Sequence, residues 1–348
     1  MNTIITPSGK IFILILLFIS SLYLLINDSH PFIGCKSEQV AVKKDSLVEW
    51  KFPDVSSLKD DDEGKIIKLG RKIFLETYKY IGPEVKDTSK RFLKTNMDCQ
   101  NCHFKGGTVK NVLGLVGTYN SYPALDARSE KVISIQQRIN QCLMRSMNGK
   151  PMPETAEEMN ALVAYLKWLS TYVPKGTRVE GNGLPKIRAI DRAADPVKGK
   201  TVFAGNCMTC HAENGQGVLN DPGNVVVPAD SLNGYDFPPV MGPDSYNDGA
   251  GMYRLIAAAS FIYSKMPYND AVLSIEDSYD VAAYINSGPR PKFLSTGSDY
   301  PNLKLKPIDD PFPPYDDKFS EAQHRFGPYL PMLKDGEMNK FLDANSGR

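Results

Sequence analysis

Histidine is scarce in this chain, with four in 348 residues. Charge of one sign is lacking too: 41 Lys and Arg against 40 Asp and Glu leave a net +1, which excludes a large nucleic-acid footprint. After Ile26 there is no long apolar run, and 42% hydrophobic residues suit a soluble globular protein rather than a multi-span one. Six cysteines make no disulfide framework. Four fall in two pentapeptides and Cys35 lies near the N-terminus, so Cys142 stands alone.

The pentapeptides are Cys99-Gln100-Asn101-Cys102-His103 and Cys207-Met208-Thr209-Cys210-His211. Cys-x-x-Cys-His is the haem c attachment pattern: both thiols join the vinyl groups and the histidine supplies one axial ligand. Each iron then needs a second ligand. The spare histidines are His30, in an apolar leader, and His324, near the C-terminus. Sulfur or nitrogen of other residue types must therefore fill the opposite positions.

Residues 1–50 read as an export or anchor segment and linker. Lys10 precedes an apolar run from Ile11 to Ile26, long for a signal core and short for a membrane span of about 20 residues. Gly34-Cys35 faintly resembles a lipidation site. Retained anchor, cleaved signal and lipoprotein all place the protein outside the cytoplasm, in the periplasm, where haem is attached covalently.

The remainder reads as two similar domains, all-α and class I cytochrome c-like, each with one covalent haem: residues 51–174 and 191–290, with a Gly/Pro-rich linker at 175–190. In the second, Asp195 and Pro196 mark the N-cap and N1 of a helix running toward Phe203, and Ser274-Ile275-Glu276-Asp277 opens a closing helix stopped by Gly288-Pro289. In the first, Ile66 to Phe74 has helical apolar spacing and Thr155-Ala156-Glu157-Glu158 opens a second helix. Its Val163-Ala164-Tyr165-Leu166 mirrors Ala282-Ala283-Tyr284-Ile285, the mark of an internal repeat. Residues 291–348 form a Pro-rich C-terminal arm, expected to lie extended on the surface.

For the second haem, Met266 in Ser264-Lys265-Met266-Pro267 is the strongest distal ligand, a soft thioether that raises the iron potential. Lys265 is the adjacent amine; Met241 and Met252 are rivals, Met252 in a predicted helix with a core role. For the first haem two answers stand. Met152-Pro153 repeats the Met-Pro pattern, whereas Cys142 offers a thiolate that favours ferric iron. Residues 133–148 have few breakers and predict a helix with Gly149 as its stop. Arg138, Cys142 and Ser146 then share a face, with Arg145 close to it, and Arg128 adds a further cation. Guanidinium groups stabilise a thiolate and bind oxyanions. The bland alternative makes Cys142 a small buried hydrophobe and the arginines a solvated face.

Residues 138–149 (RINQCLMRSMNG), both haem motifs, residues 242–252 (GPDSYNDGAGM) and residues 323–328 (QHRFGP) together resemble the thiosulfate dehydrogenases, dihaem cytochromes that interconvert thiosulfate and tetrathionate. The resemblance covers most of the chain after about Val55. It implies His103 and Cys142 as ligands of a catalytic first haem. It also implies a substrate site lined by Arg128, Arg138 and Ser146, and a second, electron-transfer haem held by His211 with Met266, which Lys265 replaces as the redox state changes in some members.

On that reading the partners are thiosulfate or tetrathionate, an electron-carrier cytochrome and, for the N-terminal segment, the membrane. The expected chemistry joins two thiosulfates through a transient adduct on Cys142. The alternatives are a non-catalytic dihaem electron-transfer cytochrome using Met152 and Met266, and a sulfur-oxidising carrier-type cytochrome. A dihaem peroxidase would need a further histidine near an open haem, and the histidine count disfavours it.

Overall fold

A computed structural model of the chain describes residues 47–220 and 234–333. The apolar leader with His30 and Cys35 lies outside the described residues. Among the described residues no helix is long and apolar enough to cross a membrane.

Helix α1, Asp62–Leu75, starts where the Asp61 carboxylate accepts from the Gly64 N–H at 2.8 Å, with Asp62 and Glu63 in its first turn and Lys72 in its last. Helix α2, Ile135–Gln141, is capped by Ser134 and followed by a π-helical turn, Cys142–Ser146. Helix α3, Glu157–Leu169, crosses α1 and buries Leu162, Tyr165, Leu166 and Leu169 against Ile67, Ile73 and Phe74. Helix α4, Pro196–Asn206, has Pro196 at its first position, and Asp195 accepts from the Val197 and Lys198 N–H groups. Helix α5, Leu255–Lys265, is apolar nearly all round, and α6, Ile275–Ser287, is capped by Ser274. Among the described residues strands are limited to pairs of two or three residues, such as Ala124–Asp126 with Lys131–Ile133, so the fold is all-α.

The internal repeat is physical. Gly70 of α1 lies against Tyr165 and the Ala161 carbonyl of α3; Gly199 of α4 lies against Tyr284 and the Asp280 carbonyl of α6. Phe74 meets the Tyr165 ring at 5.7 Å, and Phe203 meets Tyr284 at 5.4 Å. In each half the first and last helices cross where one has no side chain and the other offers a tyrosine.

Two segments depart from expectation. The linker is not a free spacer: Asn111 and Leu113 donate their N–H groups to the Gly181 and Gly183 carbonyls, each at 2.7 Å, and Asn182 donates to the Val116 carbonyl. The arm is not merely laid on the surface. Asp309, 1% exposed, accepts from Arg254 Nε and from the Ile256 N–H, closing the start of α5, and Tyr329 is fully buried in the second core. Its prolines forbid regular hydrogen bonding but not insertion of single side chains.

At Gly199 an added Cβ would overlap the Asp280 carbonyl oxygen, whereas at exposed Gly205 of the same helix it would meet nothing. Gly199→Ala is therefore expected to destabilise the second domain by about 1–3 kcal/mol. Gly205→Ala is expected to stabilise it by about 0.5–1 kcal/mol, both measured by thermal unfolding.

Candidate active site and haem pockets

A cavity of about 640 Å³ opens between the first domain, the linker, the second domain and the arm, in the size range of cofactor sites. Cys99, Cys102 and His103 line it together with Arg128, Arg138, Cys142 and Ser146, so the structure brings all four proposed catalytic residues to one space. His103 Nδ1 donates to the Leu113 carbonyl at 2.6 Å, and burial lowers its pKa to about 4. The imidazole is thus neutral, with Nε2 left as the lone-pair nitrogen, the state an iron ligand requires. The linker fixes this arrangement, because Leu113 is held by Gly183. Burial, with a smaller contribution from the Cys142 charge, pushes the Cys102 thiol up to about 12. The donor set and the cavity fit a haem c.

The expected helix over 133–148 is interrupted. From Cys142 the hydrogen bonds widen to i+5, as in Met147 N–H to the Cys142 carbonyl at 3.1 Å. The stop is also displaced: Asn148, not Gly149, takes the left-handed conformation, at φ +48. A π turn holds one residue more than an α turn and loosens its own carbonyls. Asn247, buried in the block 242–252, repairs this: its amide donates to the Met144 carbonyl at 2.8 Å and its backbone N–H to the Arg145 carbonyl at 3.1 Å.

The arginines divide. Arg138 lines the cavity, and the neighbouring Cys142 charge is the chief influence raising its pKa, with Tyr122 and Asp126 acting in the same sense. Arg128 also lines it, while its Nη1 donates to the Gly249 carbonyl at 3.3 Å. Arg145 corrects the expectation of a shared cationic face. Its guanidinium is buried, forked onto Asp299 with both contacts at 2.7 Å, donating to the Gly249 carbonyl at 3.0 Å and lying 4.1 Å from the Phe293 ring centre. Sequence reasoning missed Tyr122, Asp126, Asn247, Asp299 and Tyr300. Asn247 lies within the singled-out block 242–252 with no role assigned, Asp126 is marked only by its Ser129 turn, and Asp299 and Tyr300 matter through partners far along the chain. Against the opposing effect of burial, hydrogen bonds from Ser129 and Gln141 hold Asp126 below the usual carboxylate range.

Met152 does not join the cavity. It is 2% exposed in the first core, with its backbone held on both sides by the Asn140 side chain at 2.8 and 2.9 Å. Met252, expected to be a core residue in a helix, sits in a 3-10 turn, Gly251–Tyr253, and lines the first cavity while packing on the second core.

In the second domain His211 repeats the arrangement of His103, with Nδ1 donating to the Pro238 carbonyl at 2.8 Å, and burial lowers its pKa. Beside it lie Cys207 and Cys210. Lys265 ends α5 and Met266 caps it, packing on the second core and on Phe104 and Phe261. Met241 is a core residue, its sulfur pressed against Gly288. His324 is buried, bonded to the Ile308 carbonyl and Asp317 and stacked 3.6 Å from Tyr315.

The family model described as "SoxA/TsdA, cytochrome c domain" matches residues 89–174, and the cytochrome c model matches residues 196–289. The chain is 36% identical over 255 residues to the thiosulfate dehydrogenase of Psychrobacter arcticus, covering 72% of each. It is 34% identical over 257 residues to that of Allochromatium vinosum, covering 72% of this chain and 88% of the other. A solved thiosulfate dehydrogenase (TsdBA) from Marichromatium purpuratum, in its as-isolated form, superposes with a TM-score of 0.63 at 29% identity. That match covers 71% of this chain and 50% of the other, so the chain spans half the length of that protein.

Met152→Leu conserves volume and is expected to cost less than about 1.5 kcal/mol while leaving the visible and EPR spectra of the haem protein unchanged. A changed axial-ligand signature in this variant would return Met152 to the first haem.

Proposed function

The chain belongs to the thiosulfate dehydrogenase family, and on that premise we propose how its residues interconvert thiosulfate and tetrathionate. It is an oxidoreductase whose two cytochrome c domains bind haem c. We assign one haem c to the first domain, where Cys99 and Cys102 would attach it and His103 and Cys142 would hold its iron. A second would be attached by Cys207 and Cys210, with His211 and either Met266 or Lys265 as the residues that would hold its iron. Once bound, the haems supply one-electron storage that takes up the two electrons released per tetrathionate.

The observation that carries the reading is the meeting of Cys142 and Arg138 on the cavity that His103 lines. Two thiosulfate dianions repel, so cationic groups must hold both before their sulfane sulfurs can join. Arg138 and Arg128 clamp sulfonate oxygens and Ser146 donates a hydrogen bond. The Cys142 sulfur bonds to the sulfane sulfur of the first thiosulfate as two electrons leave, giving a thiosulfonate on Cys142. The sulfane sulfur of the second thiosulfate displaces it, forming the new S–S bond of tetrathionate and returning the thiolate. Reversed, the sequence reduces tetrathionate. The protein is exported to the periplasm, tethered by its N-terminal segment, and exchanges electrons with a carrier cytochrome.

Purified Cys142→Ser is expected to lose activity both with thiosulfate plus an acceptor and with tetrathionate plus a donor. Arg138→Ala is expected to lose roughly 10²–10³-fold in kcat/KM. Retained turnover in the first variant contradicts the covalent route, and in the second the sulfonate clamp. For the second haem, Lys265→Ala should keep one and the same methionine-ligation spectrum in both redox states. If the parent protein already does so, ligand exchange is rejected.

A further inference from the structure

The C-terminal arm delivers one carboxylate to the edge of the cavity. Asp299 follows a short 3-10 turn, Thr296–Ser298, and its side chain is 14% exposed. It stands between two arginines. Arg145 takes both oxygens in a fork at 2.7 Å, and Arg128 Nε lies 3.5 Å from Oδ2. The two guanidinium groups also share the Gly249 carbonyl, at 3.0 and 3.3 Å. The next residue, Tyr300, donates its N–H to the Arg128 carbonyl at 2.7 Å and places its ring 5.7 Å from the Arg128 guanidinium carbon.

Arg145 lines the cavity too, but as an anchor: both of its terminal nitrogens are held by Asp299, Nη1 also by the Gly249 carbonyl, and its face lies on Phe293. Arg128 is different. Its Nε and Nη1 meet Asp299 and Gly249 at the longer distances of 3.5 and 3.3 Å, and it also lines the cavity. Arg128, Arg145 and Asp299 together carry one net positive charge, so the carboxylate cancels the buried anchor and leaves Arg128 free to attract an anion. An arginine side chain on its own has many rotamers, and holding it in one geometry before the substrate arrives lowers the cost of binding.

We propose that Asp299, from the C-terminal arm, is a positioning residue that fixes the Arg128 guanidinium for substrate. The proposal rests on the reading of Arg128 as a sulfonate clamp. The other two strong features lead no further. The Tyr315–His324–Asp317 group lies inside the arm, where His324 is held by Asp317 and the Ile308 carbonyl and nothing points to a ligand, and the buried Asp98 beside Cys99 belongs to the haem pocket already described.

The test is a double-mutant cycle in the haem-loaded full chain, with haem content, thermal midpoint and the axial-ligand spectrum of each haem measured alongside kinetics. Asp299→Asn is expected to raise KM for thiosulfate about tenfold with a smaller change in kcat. In an Arg128→Ala background the same substitution should change KM less than about twofold. If Asp299→Asn does not accumulate with full haem content, Asp299→Glu keeps the charge and displaces it, and is expected to raise KM with haem content and spectra unchanged. Unaltered KM in the soluble Asp299 variant overturns the proposal. So does an equal loss in both backgrounds, which is the behaviour of a merely structural residue. Arg128→Ala with parental KM overturns the clamp itself, a result distinguishable because it appears without any change at Asp299.

Discussion

A π-helical turn leaves carbonyl groups that it cannot close alone, and in this protein the turn that needs outside help carries Cys142. Asn247 from the second domain closes the Met144 and Arg145 carbonyls, and Asp299 from the arm fixes Arg145. The domain contact and the active-site wall are thus the same construction. A buried amide and a buried ion pair are costly to leave half-made, by about 3–5 kcal/mol for a pair stripped of one partner. The turn is consequently shaped only when both domains and the arm are in place.

The two halves share one plan and differ at this turn. Gly70 with Tyr165 and Gly199 with Tyr284 make the same helix crossing, and His103 and His211 each donate Nδ1 to a backbone carbonyl. Beyond the imidazoles the halves differ. The first presents a thiol among cationic side chains, and the second presents Met266 at the end of an apolar helix. Thioether and thiolate pull iron potentials in opposite directions, which suits one centre to chemistry and the other to electron transfer.

Local signals were legible in the sequence. Asp195-Pro196 and Ser274 begin their helices as cap chemistry dictates, and the tyrosine-bearing repeat locates both closing helices. Arg138, Cys142 and Ser146 were legible as one helix face in the interval where an iron ligand is missing, and the resemblance to the thiosulfate dehydrogenases added Arg128 to them. What the sequence hid is non-local. Arg138 and Arg145 both reach the cavity, and Asp299, 154 positions from Arg145, decides which of them has its terminal nitrogens already engaged. Met152 and Met266 share a Met-Pro pattern, yet Asn140 holds the first inside the core. The π turn has no composition of its own, and the arm inserts through single residues such as Asp309 that carry no periodic pattern.

The central claim is that the sulfur chemistry takes place on Cys142. Oxidised enzyme mixed with tetrathionate needs no further electrons to form the adduct, because the thiolate displaces one thiosulfate from the disulfane chain. Acid quenching followed by peptide mass spectrometry reads it directly. The account predicts that the peptide containing Cys142 gains the mass of one thiosulfonate group, and that thiosulfate added before the quench removes it. An unmodified Cys142 under conditions of full turnover would contradict it.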